Sequence, residues 1–247
     1  MSRQSVAPSE RLARSMAIAI VVATGLLIAG TCILRLSNRG TRHVEPDRTV
    51  YPLRGADLSA HNGDIDFDSL ATVLDFVYLK ASEGRTFVDR NFRRNHAEAR
   101  RVGIPVGAYH FFRFGAPGVE QSDNLRAVLD SLTIDLPVAI DVEESGNKND
   151  ISTDTVVKHL REMVDDLRTH GHRVIIYTNK DGYARFVYRN FEDTELWICS
   201  FTDPPMALGG RWTLWQHSHS EHLPGVRGSV DLNTFNGSAT EFAAYLQ

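Results

Sequence analysis

Hydrophobic and polar positions change their rhythm several times along this chain, and each change predicts an element. From residue 53 onward, apolar runs of strand length alternate with longer segments whose apolar residues recur every three to four positions. Leu53 to Leu58, Asp75 to Lys80, Pro105 to Phe111, Pro137 to Val142, Arg173 to Tyr177 and Leu196 to Ser200 are the predicted strands. The clearest helix is Thr153 to His170, where Val156, Val157, Leu160, Met163, Val164 and Leu167 share one face. Ser152 is placed to cap its start and Gly171 to end it. Further helices are predicted at Phe92 to Arg101, Glu120 to Leu132 and Ala239 to Leu246.

Strand after helix after strand predicts an α/β chain with a parallel sheet, closed into a TIM-like barrel. The last third departs from this pattern. Leu196 to Ser200, Trp212 to His217 and Ser229 to Leu232 read as strands with no long helix between them, so the barrel is expected to be irregular. An open doubly wound sheet is the alternative, but it usually carries a glycine-rich phosphate loop after its first strand. Here that strand runs into Asp57-Leu58-Ser59-Ala60-His61-Asn62-Gly63, which is no such loop.

A different rhythm occupies the amino end, where Met16 to Leu34 has no charged residue. As a helix this segment would be roughly 28 Å long, close to the thickness of a bilayer's hydrocarbon core. The expected organisation is an amino-terminal tail on the cytoplasmic side at 1–15, a single transmembrane or signal helix at 16–36, a polar tether at 37–52 and a folded domain at 53–247. Arg3, Arg11 and Arg14 before the apolar run also suit a cleaved signal. The run exceeds the usual signal length of roughly 7 to 15 apolar residues and lacks a clean Ala-x-Ala site, which favours an uncleaved membrane anchor.

Charge divides the chain further. Residues 1–50 hold 7 Lys/Arg against 3 Asp/Glu, leaving 20 against 28 for residues 51–247, a net of −8. No basic patch with interleaved aromatics marks a nucleic acid partner. Cys32 lies in the apolar segment and Cys199 stands alone in the remainder, so the folded part has no internal disulfide.

The chemistry concentrates in Leu136-Pro137-Val138-Ala139-Ile140-Asp141-Val142-Glu143-Glu144. Side chains two apart on a strand share a face, with Cα atoms roughly 6 to 7 Å apart, so Asp141 and Glu143 form a pair. Neighbouring acids do not ionise independently, and one of them keeps its proton to a higher pH, as a general acid requires. A solvated strand end is the plainer reading of the same residues. In a parallel barrel the strands' carboxyl ends converge, which brings Asp57 and Asp231 beside that pair once the first and last strands meet. Tyr109, Tyr177 and Trp215 could offer flat surfaces to sugar rings and His110 a hydrogen-bonding wall, whereas Phe111 and Trp197 read as core. Acids flanked by aromatics suit glycosidic bond cleavage.

At these residues the chain resembles a known family. Gly55-Ala56-Asp57-Leu58-Ser59 with Asn62-Gly63-Asp64-Ile65-Asp66-Phe67, then Lys80-Ala81-Ser82-Glu83-Gly84, Val106-Gly107-Ala108-Tyr109-His110-Phe111, Asp141-Val142-Glu143, Ile176-Tyr177-Thr178-Asn179, Leu214-Trp215-Gln216 and Val230-Asp231-Leu232-Asn233 are similar, in order, to the motifs of glycoside hydrolase family 25, the Chalaropsis-type lysozymes. The resemblance implies a flattened barrel and an N-acetylmuramidase cutting the β-1,4 bond between N-acetylmuramic acid and N-acetylglucosamine. It makes Glu143 the general acid and base, Asp141 the stabiliser of the acetamido group or of the oxocarbenium-like centre, and Asp57 and Asp231 the rest of the pocket. It leaves open whether an enzyme carboxylate or the substrate's acetamido group attacks. Asp64 and Glu83 read as structural.

The expected partners are peptidoglycan strands outside the inner membrane, in the bacterial cell envelope, and the membrane itself through the amino-terminal helix. The expected state is a monomer without cofactor or metal. Two rivals remain at this level. One is a glycan-binding module without turnover. The other is a metal hydrolase using His61, His110, His217, His219 or His222 with Asp57 or Asp141, although His217-Ser218-His219 is expected in a solvated loop.

Overall fold

The computed structural model describes residues 44–148, 150–202, 205 and 211–246. The expected tail at 1–15 and apolar helix at 16–36 lie outside the described residues. Among the described residues no helix is long and apolar enough to cross a membrane. The second half of the expected tether is part of the folded unit. Val44 N–H donates to Phe201 O at 3.1 Å, and the Tyr51 ring packs 5.5 Å from Trp212. Two apolar side chains with core to cover were enough to dock a segment that shows no periodicity.

Nine strands occur among the described residues: β1 (Arg54–Leu58), β2 (Phe76–Glu83), β3 (Phe87–Val88), β4 (Val106–Phe111), β5 (Val138–Asp141), β6 (Val174–Asn179), β7 (Glu195–Cys199), β8 (Leu214–Glu221) and β9 (Val230–Phe235). They join in the order β1-β9-β8-β7-β6-β5-β4-β2-β3, and β1 also pairs with β2, so eight of them close a barrel and β3 is an added edge. Every barrel pair is parallel except those of β9, which runs antiparallel to both β8 and β1. The cause is the short link from Glu221 to Val230, which cannot make the crossover that a parallel partner needs. The irregular last third is this reversal.

Helices cover the outer face. Thr153–Thr169 buries Val156, Leu160, Met163, Val164 and Leu167, and the Ser152 side chain accepts from Thr155 N–H as its cap. Gly171, at φ 86°, follows it in the left-handed conformation that glycine adopts without strain. Phe92–Arg101 and Gly118–Leu129 lie on the same outer layer, and Ala239–Tyr245 closes the floor of the barrel. Phe242 of that last helix stacks 5.3 Å from Phe76 and 5.2 Å from Phe235. The helix thus packs on the end of the barrel opposite the strands' carboxyl ends.

The interior above the floor is aromatic. Tyr78, Tyr177 and Trp197 pack ring against ring, with centroids 4.6 Å and 4.9 Å apart. Two glycines make room: a Cβ at Gly55 would lie 2.2 Å from the Phe76 ring, and one at Gly107 would lie 2.4 Å from Tyr78. Glycine in a strand here marks the close approach of a ring.

Candidate active site

Because strand side chains alternate faces, each strand's inward positions are fixed once one of them is known. Asp57 is the penultimate residue of β1, directly opposite Asp231 of β9 in the antiparallel register. Inward with Asp231 goes Asn233, and inward from β8 goes Gln216, the register partner of Asn233. Asp141 ends β5, and Glu143 follows two residues later in the same cleft. All four acids are half-buried.

Four carboxyl groups in one low-polarity mouth do not ionise together. Burial, then the Asp231 charge, holds Asp57 well above the usual carboxylate range. Burial, then Glu143 and Asp57, does the same to Asp141, while Lys80 pulls it back. Burial and Asp57 raise Glu143, again against Lys80. Burial raises Asp231 to about 6. The cleft therefore stores protons into the neutral range, as general acid catalysis needs.

Lys80 is the cation that bears on this group. Its Nζ donates to Glu83 Oε2 at 2.7 Å and lies 5.3 Å above the Phe111 ring. Arg113 also pairs with Glu83 and with Gly146 O. Glu83 is thus held between Lys80 and Arg113, and exposed Asp64 pairs with Arg94. The sequence reading missed Lys80, although its place two residues after inward Tyr78 was available.

Of the four residues expected to bind substrate, the mouth receives two. Tyr109 is half-buried beside the acids, and Tyr177 is a mostly buried wall whose hydroxyl donates to Gln216 Oε1 at 2.9 Å. Trp215 does not face the cleft. It is 1% exposed and sits in the outer layer, its N–H donating to Ser200 O at 2.7 Å. His110 is likewise outside the barrel, 0% exposed between Ser82 Oγ at 2.8 Å and Gln121 Oε1 at 3.2 Å. Alternation explains both corrections: Trp215 precedes inward Gln216, and His110 follows inward Tyr109. His217-Ser218-His219 is not a loop either, since all three lie within β8 and His217 is buried.

Asp141 Oδ1 is buried and has no hydrogen-bond partner. An unpaired acceptor costs about 1 to 3 kcal/mol, so its natural complement is a donor arriving with a ligand. Among the described residues, no cluster of three or more His, Cys, Asp or Glu has the spacing to hold a metal ion.

A barrel sealed below and acidic above defines the class: an α/β-barrel enzyme equipped for acid–base chemistry at its carboxyl mouth. The family model of glycosyl hydrolases family 25 matches residues 56–226. Among solved structures, the chain is similar to a family 25 glycosyl hydrolase from Bacillus anthracis, with a TM-score of 0.76 and 31% identity, covering 85% of this chain and 100% of that one. Among curated proteins it is 28% identical to Lysozyme M1 of Streptomyces globisporus over 80% of this chain and 74% of that one. It is 31% identical to the uncharacterized protein YegX of Escherichia coli K12 over 79% and 74%. The chain belongs to glycosyl hydrolases family 25 and is a glycoside hydrolase of the lysozyme type.

Proposed function

We propose that this protein is a peptidoglycan N-acetylmuramidase in which Glu143 protonates the leaving oxygen and Asp141 supports attack by the substrate's own acetamido group. The observation that carries this reading is the buried, unpartnered Asp141 Oδ1 two residues from Glu143, whose carboxyl is raised by burial and by Asp57. An acetamido N–H bound to Asp141 favours its charged form, which moves the proton of the pair onto Glu143. Glu143 then gives that proton to the glycosidic oxygen as the bond to the anomeric carbon breaks and the acetamido oxygen closes on that carbon. Ionised Asp141 faces the positive ring so formed. Water, deprotonated by Glu143, opens the ring and restores the starting state.

Tyr109 and Tyr177 would line the sugar subsite, and Asp57 and Asp231 would keep the far wall acidic. All of these groups come from one chain, which suits a monomer as the working unit, and the steps call on no cofactor. The uncharged run within 16–36 suits an anchor that keeps the enzyme beside the wall it cuts.

The test is digestion of purified peptidoglycan by the full-length chain with analysis of the fragments. New muramic acid reducing ends are expected. Glu143→Gln should lower their release by about 10²- to 10⁴-fold, the usual contribution of a positioned acid. Binding without new ends would overturn the reading in favour of a glycan-binding module.

A further inference from the structure

Two motifs of the sequence, Leu214-Trp215-Gln216 and Val230-Asp231-Leu232-Asn233, contribute side chains for which the steps above have no use. Gln216 Nε2 donates to Asp57 Oδ2 at 3.0 Å and Asn233 Nδ2 donates to the same oxygen at 2.7 Å. Behind them, Trp197 Nε1 donates to Asn233 Oδ1 at 2.8 Å and the Tyr177 hydroxyl donates to Gln216 Oε1 at 2.9 Å. Gln216, Asn233 and Trp197 are buried, at 3%, 0% and 2% exposure.

The orientation of the network follows from donor chemistry. An indole N–H can only donate, so the Asn233 atom facing Trp197 must be its oxygen. That leaves the Asn233 NH₂ for Asp57, whose atom at that point must accept. With both acceptor directions of Oδ2 occupied by amide hydrogens, a carboxyl proton on Asp57 has only Oδ1 to occupy. Asp231, whose charge bears on Asp57 more than any influence but burial, is opposite it across the β1–β9 register.

We infer that Gln216 and Asn233 are positioning residues, locked by Tyr177 and Trp197, that hold Asp57 Oδ2 as a pure acceptor and so confine the shared proton of the two acids to the line between Asp57 Oδ1 and Asp231. The pair then carries one negative charge instead of two, with that charge and its proton fixed in place. The other groups facing Asp57 are Tyr109 from β4, Asp141 and Glu143 from β5 and its end, Tyr177 from β6 and Cys199 from β7. Lys80 and Glu83 from β2 bear on Asp141, and Lys80 bears on Glu143 as well. Among the described residues, the hydrogen bonds to Oδ2 come from the two amides.

Amide donors favour the ionised form of Asp57, so loosening them should tighten the pair's hold on its proton. Trp197→Phe frees Asn233 to turn its oxygen toward Asp57, and Tyr177→Phe frees Gln216 with the loss of a single oxygen; Trp215→Phe matches the volume that Trp197→Phe removes. The measurement is a carboxyl ¹³C NMR titration of the full-length chain labelled at aspartate, with Asp231→Asn used to assign the pair. The expected result is an upward displacement of the pair's titration by about one pH unit in each variant, the scale on which hydrogen bonds move carboxyl groups. Trp215→Phe, which removes a buried indole outside the barrel, should leave it unmoved. Unchanged titration in both Trp197→Phe and Tyr177→Phe, or an equal displacement in Trp215→Phe, would overturn the inference.

The consequence for turnover rests on the muramidase reading: the alkaline fall of kcat/KM on peptidoglycan should move up with the titration. A displaced titration in a chain that releases no reducing ends would refute that reading and leave the proton placement standing.

Discussion

Protonation of Glu143 fixes the sign of the pH dependence at the residue scale. Its carboxyl is raised above the usual range by burial and by Asp57, and only its protonated form can serve the leaving oxygen. Activity is therefore expected to fall as pH rises through the last deprotonation of the Asp141–Glu143 pair, a macroscopic step belonging to both acids. The initial rate of reducing-end release across pH 4 to 9 checks it, and a rate that climbs steadily to pH 9 contradicts it. The same acids oppose stability at high pH. Asp231 moves from 3.8 to about 6 on folding, so the folded state binds more protons than the unfolded chain between those values. The contribution of Asp231 to stability is full below about 4 and is lost as pH rises through about 6. Asp231→Asn should remove that decline, leaving the variant more stable than the parent at pH 8 by about 1 to 3 kcal/mol, with no such gain at pH 4. Urea unfolding at the two pH values measures it.

At the scale of elements, local periodicity located most of what is seen. The Thr153–Thr169 helix ends one residue short of the expected His170, and its cap is the expected Ser152. Ser152→Ala should cost about 1 kcal/mol, read as a lowered urea midpoint. The faces of the strands were harder to read. Alternation was sufficient to place Trp215 and His110 outside, given an inward neighbour, but β2 shifts register between Lys80 and Ser82, and β8 shifts after Gln216. Such irregularities reverse parity and leave no mark on composition. The glycines of β1 and β4 are a sharper test of the interior. Gly107→Ala forces a methyl against the Tyr78 ring and should destabilise the protein by about 1 to 3 kcal/mol, as overpacking does. An unchanged thermal midpoint would mean the ring is free to move.

At the scale of the molecule, the floor and the mouth are separable. Phe242→Ala opens the packing against Phe76 and Phe235 and should cost about 3 to 5 kcal/mol in unfolding free energy, yet leave the pH profile of the surviving activity in place. The alternation of strands and helices, the acid pair at 141 and 143 and the family motifs are legible along the chain, because each depends on neighbours a few residues apart. The reversal of β9, the exclusion of Trp215 and His110 from the cleft and the hydrogen-bonded unit of Asp57, Gln216 and Asn233 come from the folded barrel. Those facts depend on closure between strands 174 residues apart, where pairing direction, bulges and burial set which atoms meet and how strongly each holds its proton.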